Sequence, residues 1–362
     1  MPIENERLLE TLSSLDGVAG QEKTVGEAIA ARLREIGLQP ETDRMGNITA
    51  RREPAAGGSP FHALLCAHMD EVGLLITEIT ADGYLKFSPA GGIDNAVLPA
   101  KWVRIGGELP GVVGIKAIHL QKMDERKKLP ETDAFYIDIG AASREEAEKQ
   151  VKLGDMACLV GGWHELGADL VMGKALDDRA GCALLLELLA AEQPCRLTGV
   201  FTAQEEIGLR GAQVLANRIQ ADLVVVLEAT AAADVLETEA EETVTCLGRG
   251  PVCSLMDAGT IYPPELIKLI TDCARTAEIP LQYRRGAAGA NDAGALQTAG
   301  AGQRVITLSL PCRYIHTMRS VASRTDYANW KKLVINLLER LSSPEESARF
   351  SRETSGKDAG KQ

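Results

Sequence analysis

A chain of 362 residues is long enough for two compact units, and its formal net charge of −12 argues against nucleic acid or an anionic membrane surface as the main partner. Its 45% apolar and 25% charged residues supply an ordinary globular core, and no apolar run approaches the roughly 20 residues needed to cross a bilayer. Residues 1–7 are too polar for a secretory signal, and the eight cysteines, with no C-x-x-C pair, read as reduced thiols, so a cytoplasmic protein is expected.

In chain order, residues 6–15 and 22–36 read as helices. Val25, Ile29, Leu33 and Ile36 recur in the second at helical spacing, and Gly37 supplies its stop. A short strand at 47–51 and a Pro/Gly loop at 54–60 lead into the apolar run 61–67, the pattern of a strand covered on both faces. Strand-like runs at 72–80, 84–87, 102–105, 112–118 and 135–139 then follow one another, with one helical stretch at 144–151, as in an antiparallel or barrel-like unit. Beyond about residue 170, strands at 198–203, 223–227 and 305–310 alternate with helices at 178–191, 210–219, 264–279 and 327–341. Such alternation implies a mostly parallel sheet with helices on both faces. Residues 1–70 end in a buried-type strand and are assigned to the same α/β domain. That domain is expected at 1–70 and 166–341, interrupted by an all-β insertion at 71–165. The polar stretch 342–362 reads as a disordered tail.

The titratable residues that stand out fall at the carboxyl ends of the α/β strands, where an open sheet binds its ligands. They are His68-Met-Asp70, Asp177-Asp178 at the head of an apolar helix, Glu205-Glu206, Glu228 and His316. Each has a plain structural reading. Asp177 or Asp178 would serve as a helix N-cap, and Glu205-Glu206 as a solvated turn. Glu228, however, ends the buried run 223–227, where an unpaired carboxylate is costly, and Asp70 is placed to fix the tautomer of His68. Among the five histidines, His62 and His164 read as surface or packing residues and His119 as an interface residue of the insertion. Two imidazoles with four or five carboxylates form the ligand set of a two-metal site, and mixed N/O donors suit Zn²⁺, Co²⁺ or Mn²⁺. One bridging carboxylate and one unbound carboxylate as base would complete a metal-assisted hydrolase.

The motifs AHMDEVGLLI (67–76), GVVGIKAIHL (111–120), YIDIGAASREEAE (136–148), GKALDDRAG (173–181), TAQEEIGLRGA (202–212), NDAGA (291–295) and PCRYIHT (311–317) occur in one order along nearly the whole chain. In that ordered set the sequence resembles the tetrahedral aminopeptidases and glutamyl aminopeptidases, a family of dinuclear metallopeptidases. The resemblance implies a phosphorylase/hydrolase-like mixed sheet flanked by helices, with the insertion as a barrel-like dimerisation domain of a homo-oligomer, a hollow dodecamer built from dimers. It implies peptide substrates and two divalent metal ions per subunit. Asp177 would bridge the ions, with His68 and Glu228 completing one site and Glu206 and His316 the other. Glu205 takes the general-base position, Asp70 stands behind His68, and Asp177–Asp178 would be a cis peptide. Spacing alone does not separate Glu205 from Glu206; the resemblance does. The sequence departs from the family at Glu228, where Asp is commoner, and at Asn291, where Thr or Ser is.

Two rivals are weaker. A deacylase or glycan hydrolase would share the fold, but a glycosidase needs two metal-free carboxylates flanking a sugar bond. A non-catalytic assembly subunit would be favoured by loss of a ligand or of Glu205, and none is lost. The insertion is expected to supply subunit contacts rather than catalytic groups. Arg284-Arg285, ahead of a Gly/Ala loop, could attract acidic substrates but is read as surface charge.

Overall fold

The structure, a computed structural model, describes residues 6–239, 242–284, 286 and 288–351. Strands β1 (Glu41–Thr42), β2 (Ile48–Arg52) and β3 (Ser59–His68) are followed by β4 (Gly73–Ile79), β5 (Leu85–Ala90), β6 (Trp102–Ile105), β7 (Leu109–Ile115), β8 (Phe135–Asp138) and β9 (Met156–Leu159). Then come β10 (His164–Leu166), β11 (Leu170–Gly173), β12 (Cys195–Thr202), β13 (Leu223–Ala231), β14 (Val252–Ser254), β15 (Gln282–Arg284), β16 (Val305–Arg313) and β17 (Ser320–Ser323). The helices are α1 (Glu6–Ser14), α2 (Lys23–Glu35), α3 (Arg144–Ala147), α4 (Leu176–Ala190), α5 (Arg210–Leu215), α6 (Pro264–Thr276), α7 (Asp292–Gln297), α8 (Arg324–Leu341) and α9 (Pro344–Phe350).

The large sheet runs β1-β2-β12-β3-β13-β16-β17-β11-β10, with β14 and β15 branching from β16. Along that path the middle, β12-β3-β13-β16, is parallel and the outer pairings are antiparallel; in the branch β14 pairs with β15 in parallel and with β16 antiparallel, so the sheet is mixed. The four parallel strands carry the near-continuous apolar runs that burial on both faces demands. α4 is buried from Leu176 through Leu189, and its leucines cover one face of those strands. Gly199 in β12 admits them: a Cβ there would lie 2.6 Å from Cδ1 of Leu189.

The six strands β4-β5-β8-β7-β6-β9 close into an antiparallel barrel around Leu74, Ile76, Leu85, Val103, Phe135 and Ile137. Closure leaves no strand edge unpaired. Arg104 on β6 ties the barrel to the loop after α1 through two hydrogen bonds to Asp16, at 2.5 and 2.7 Å.

The expectation of disorder from residue 342 is corrected over its first part. α9 is an ordered helix: Ser343 caps it, Phe350 joins the main core, and Glu346 accepts from Arg340 on α8. The polar composition hid two anchors that suffice for a two-turn helix. Residues 352–362 lie outside the described residues.

Candidate active site

The parallel register aligns the carboxyl ends of β3 and β12, pairing His68 with Thr202, and places Glu228 of β13 opposite Ser309 of β16. His68, the last residue of β3, is 2% exposed. Its Nδ1 lies 3.2 Å from the carbonyl oxygen of Asp70 and 3.5 Å from Oδ1 of the same residue. That contact turns Nε2 towards Oδ1 of Asp177 at 3.2 Å and Oε1 of Glu228 at 3.4 Å. His316 stands opposite. Its Nδ1 is 2.9 Å from the carbonyl oxygen of Gly92, and its Nε2 lies 3.2 Å from Oδ2 of Asp177 and 3.5 Å from Oε1 of Glu206. The two oxygens of Asp177 thus face one imidazole each.

Gly92 belongs to the insertion, in the loop after β5. The segment expected to supply subunit contacts rather than catalytic groups thus also lends the site a main-chain carbonyl that orients His316. A backbone carbonyl has no side-chain identity for sequence reasoning to find.

Asp177 and Asp178 part company across a cis peptide bond. Asp178 is fully buried; its Oδ1 accepts from the N–H of Gly181 and its Oδ2 from that of His68. A Cβ at position 181 would sit 2.4 Å from Oδ1 of Asp178, so the motif needs glycine there. The capping reading thus holds for Asp178, and Asp177 is the residue turned to the imidazoles. Asp70 does more than face His68, because its Oδ1 and Oδ2 accept from the N–H groups of Glu205 and Glu206, each at 3.0 Å.

Ala175, Gln204, Leu209, Tyr314 and His316, all in the loops of this edge, adopt left-handed backbone. L-residues avoid that region, and such conformations cost on the order of 1–3 kcal/mol each unless the surroundings hold them, so the loops are set by tertiary contacts.

The electrostatics are those of an anionic excess. Burial, with the charge of Asp177 adding, pushes the carboxyl of Glu206 up to about 7 and that of Glu228 up to about 8. Burial also drives Glu205 well above the carboxylate range, with Glu228 and Asp292 contributing. Burial opposes ionisation of Asp177 too, yet hydrogen bonds from His316 and His68 hold it below the usual range. Burial disfavours the His316 cation, but the contact with Asp177 and the charge of Glu206 raise it to about 9. Carboxylates crowded this closely are what bound divalent cations would relieve. Ligand atoms of His68, Asp177 and Glu206 lie within 4.8 Å of one another, as do those of His68, Asp178 and Glu228, a donor set that fits such cations. A third acidic group, Asp16, Glu71 and Cys158, is already served by the ammonium of Lys174, 2.5 Å from Glu71 and 3.4 Å from Asp16.

A cavity of about 550 Å³ opens on the site, lined by His68, Asp177, Glu205, Glu206, Glu228 and His316 together with Arg284 and Asn291. All seven sequence-predicted site residues meet here, Asp70 from behind. Arg284, read from sequence as surface charge, is half-buried and faces this cavity, whereas Arg285 lies outside the described residues. His119 and His164 are exposed, and His62 is half-buried beside Thr198. Sequence reasoning missed Arg179, fully buried and donating to the carbonyls of Met69 and Leu12. It also missed Asp292, which accepts from Thr202 at 2.5 Å behind β3. Both lie inside the recognised motifs, and an Arg in an otherwise apolar helix is the signal that would have found the first.

A family model described as M42 glutamyl aminopeptidase matches residues 46–333, a span that holds every site residue from His68 to His316. The lysyl aminopeptidase of Pyrococcus furiosus is 31% identical, over 92% of this chain and 96% of its own. Among solved structures, a TET aminopeptidase from a marine-sediment Thaumarchaeota archaeon is 33% identical with a TM-score of 0.90, covering 96% of this chain and 98% of that one. The TET1 peptidase of Pyrococcus horikoshii, described as assembling into a tetrahedron or a large octahedral shell, is 29% identical with a TM-score of 0.81, over 92% and 98% of the two chains. With sequence and fold agreeing across the whole catalytic sheet, the chain is a hydrolase of the M42 glutamyl aminopeptidase family.

Proposed function

We propose that the protein is a metal-dependent aminopeptidase that removes single residues from peptide N-termini, with Glu205 as general base. The observation that carries this reading is Asp177, whose two carboxylate oxygens each lie 3.2 Å from a different imidazole. His68, Asp177 and Glu228 would hold one divalent cation, and Asp177, Glu206 and His316 the other, Zn²⁺ or Co²⁺ in preference and Mn²⁺ as an alternative. When bound, such ions polarise the scissile carbonyl and bring the pKa of water towards roughly 7. Asp70 holds the ring of His68 and the main chain of both glutamates. Glu205, buried with no role in either ligand set, accepts the proton of the attacking water on its carboxylate and returns it to the leaving amine. Glu228 in place of Asp extends one ligand by a methylene, and Asn291 changes a wall of the substrate cavity.

On this reading residues 1–70 and 166–341 form the catalytic unit, to which β10 from residue 164 and α9 also belong, and the rest of 71–165 forms an inserted assembly unit. The barrel segment exposes Trp102, Ile118, Leu120, Met123 and Leu129, apolar surface suited to a second copy of the chain. With the shell described for the horikoshii relative, this supports a homo-oligomer, which we take to be a dodecamer built from dimers. No helix among the described residues is long and apolar enough to cross a membrane. We place the protein in the cytoplasm, acting on peptides rather than on nucleic acid or membranes. The test is exhaustive chelation followed by assay against a panel of aminoacyl chromogenic amides with each metal in turn. Chelation should abolish hydrolysis, and Co²⁺, Zn²⁺ or Mn²⁺ should restore it. Full turnover by protein that elemental analysis finds free of metal would defeat the proposal.

A further inference from the structure

Four consecutive main-chain N–H groups lead into the glutamate pair, and each ends on a buried side chain from a distant part of the chain. Ala203 donates to Oδ1 of Asn47 at 2.9 Å and Gln204 to Oε1 of Glu22 at 3.0 Å, ahead of the two bonds that Glu205 and Glu206 make to Asp70. Between them Gln204 stands at φ 58, a left-handed conformation that a side chain disfavours and that persists only where its neighbours over-determine it.

The two new acceptors are themselves held. The Nδ2 of Asn47 donates to Oδ2 of Asp43 at 2.9 Å and to the carbonyl of Gly211 at 3.1 Å, and its N–H donates to Oδ1 of Asp43 at 3.1 Å. A Cβ at position 211 would lie 2.3 Å from Oδ1 of Asn47, so glycine is what lets the head of α5 close over this contact. Glu22 accepts a second bond, from the N–H of Gly20 at 2.7 Å. Asn47 is 1% and Glu22 7% exposed, and neither lines the cavity that holds the imidazoles.

We propose that Glu22 and Asn47 are positioning residues: by fixing the main chain of Ala203 and Gln204 they set the direction in which Glu205 and Glu206 enter the site. The assignment of the base and the ligand rests on the functional reading above, whereas the clamp itself does not. Removing an acceptor from a buried N–H frees that N–H to seek another partner, and the left-handed turn is the part of the chain able to move. A purely structural role would lower stability without singling out this turn.

The experiment compares Glu22→Ala, Glu22→Gln and Asn47→Ala with the parent, by amide hydrogen exchange read on peptides covering 202–209 and by steady-state kinetics on an aminoacyl amide. In Glu22→Ala and Asn47→Ala the amides of 203–206 should exchange roughly ten-fold faster or more, while those of the barrel strands keep the parental rate. The same variants should lose about 10- to 100-fold in kcat with KM within about two-fold, since what changes is the aim of the base. Glu22→Gln keeps an oxygen for Gly20 and Gln204 and should stay within about three-fold of the parent in both readouts. Should Glu22→Ala fail to fold, Glu22→Asp withdraws the acceptor by one methylene and carries the same expectation. Parental protection of 203–206 in both acceptor-deleted variants would overturn the clamp, as would equal losses in Glu22→Gln and Glu22→Ala. The exchange readout needs no substrate, so an inactive parent would count against the peptidase reading alone and the exchange rates would still decide the clamp.

Discussion

The barrel and the large sheet solve burial in opposite ways. From Gly73 to Leu159 no polar or charged side chain is buried; the barrel core is Leu, Ile, Val, Phe and Ala throughout. The large sheet buries His68, Asp70, Asp177, Asp178, Glu205 and Glu228 at one edge, with Glu71, Lys174 and Arg179 packed just behind them. An all-apolar core in a closed barrel leaves no backbone edge and no buried charge to satisfy, so its sequence needs only volume and alternation. The sheet edge holds charges that disfavour burial and loops in left-handed backbone, and both persist only through long-range contacts. One region is built for stability and the other is held in place by it: the carbonyl of Gly92 reaches His316, and Arg104 pairs with Asp16.

The sharpest break between the two regions is expected at the glutamate pair. Glu205→Gln keeps the size of the side chain but cannot accept a proton at neutral pH, and kcat should fall by about 10²–10⁴-fold with metal content unchanged. Glu206→Gln should instead release one ion, since an amide oxygen is a weaker ligand than a carboxylate, and added metal should restore part of its turnover. Metal stoichiometry and kcat of the two variants, measured side by side, decide this. A metal lost from Glu205→Gln, with both retained by an inactive Glu206→Gln, would reverse the two roles.

An apolar deletion in the barrel should do the converse. Phe135 is 0% exposed at the barrel centre, and Phe135→Ala should cost about 3–5 kcal/mol through lost burial and the cavity left behind. Unfolding in urea reads the loss. Turnover per folded molecule should stay within about two-fold at temperatures where the variant is folded. A variant of parental stability, or one whose folded fraction loses turnover as steeply as Glu205→Gln, would erase the division of labour between the two regions.

How much of this division could be read from the sequence depends on range. The apolar runs within β3, β12 and β13 announce His68, Glu205-Glu206 and Glu228 because an apolar run stopping at a charge is a local pattern, although β13 itself continues past Glu228 to Ala231. His316, just past the run 305–310, follows the same pattern, and the ordered motifs then separated Asp177 from Asp178 and Glu205 from Glu206. Short elements were missed: β14, β15 and β17 have three or four residues each, too few for periodicity to register, and their place comes from pairing with β16 and its neighbours. α9 was hidden by polar composition, although Phe350 anchors it. Arg284 was misread because nothing local tells an arginine facing a cavity from one facing water. Asn47 and Glu22 were out of reach, since their partners at 203 and 204 stand more than 150 positions away and no pattern links them.

The pH dependence of stability should separate the regions a last time, with the smallest effect. In ion-free protein the folded state holds Glu206 and Glu228 at about 7 and 8, so both keep a proton at pH values where the unfolded chain has released it. His316, which burial alone would lower, is raised to about 9 by Asp177 and Glu206; its contribution is complete below the ordinary histidine value and is lost as pH rises through about 9. All three groups bind more protons folded than unfolded across this window, so each makes stability fall as pH rises from roughly 5 to 9. Asp177 is shifted the other way, but its stabilising contribution is already complete at the bottom of that window. The barrel, with no buried titratable side chain other than the inert thiol of Cys158, adds almost nothing to the slope. If these residues hold the cations as proposed, the cations would replace the protons and bind more tightly as pH rises, so the slope should flatten or invert once metal is restored. Urea midpoints of chelated and metal-loaded protein, taken between about pH 5 and 9, give the two slopes directly. Identical slopes in the two forms would mean that the crowded carboxylates are not where the cations bind, and the contrast between sheet edge and barrel would lose its electrostatic basis.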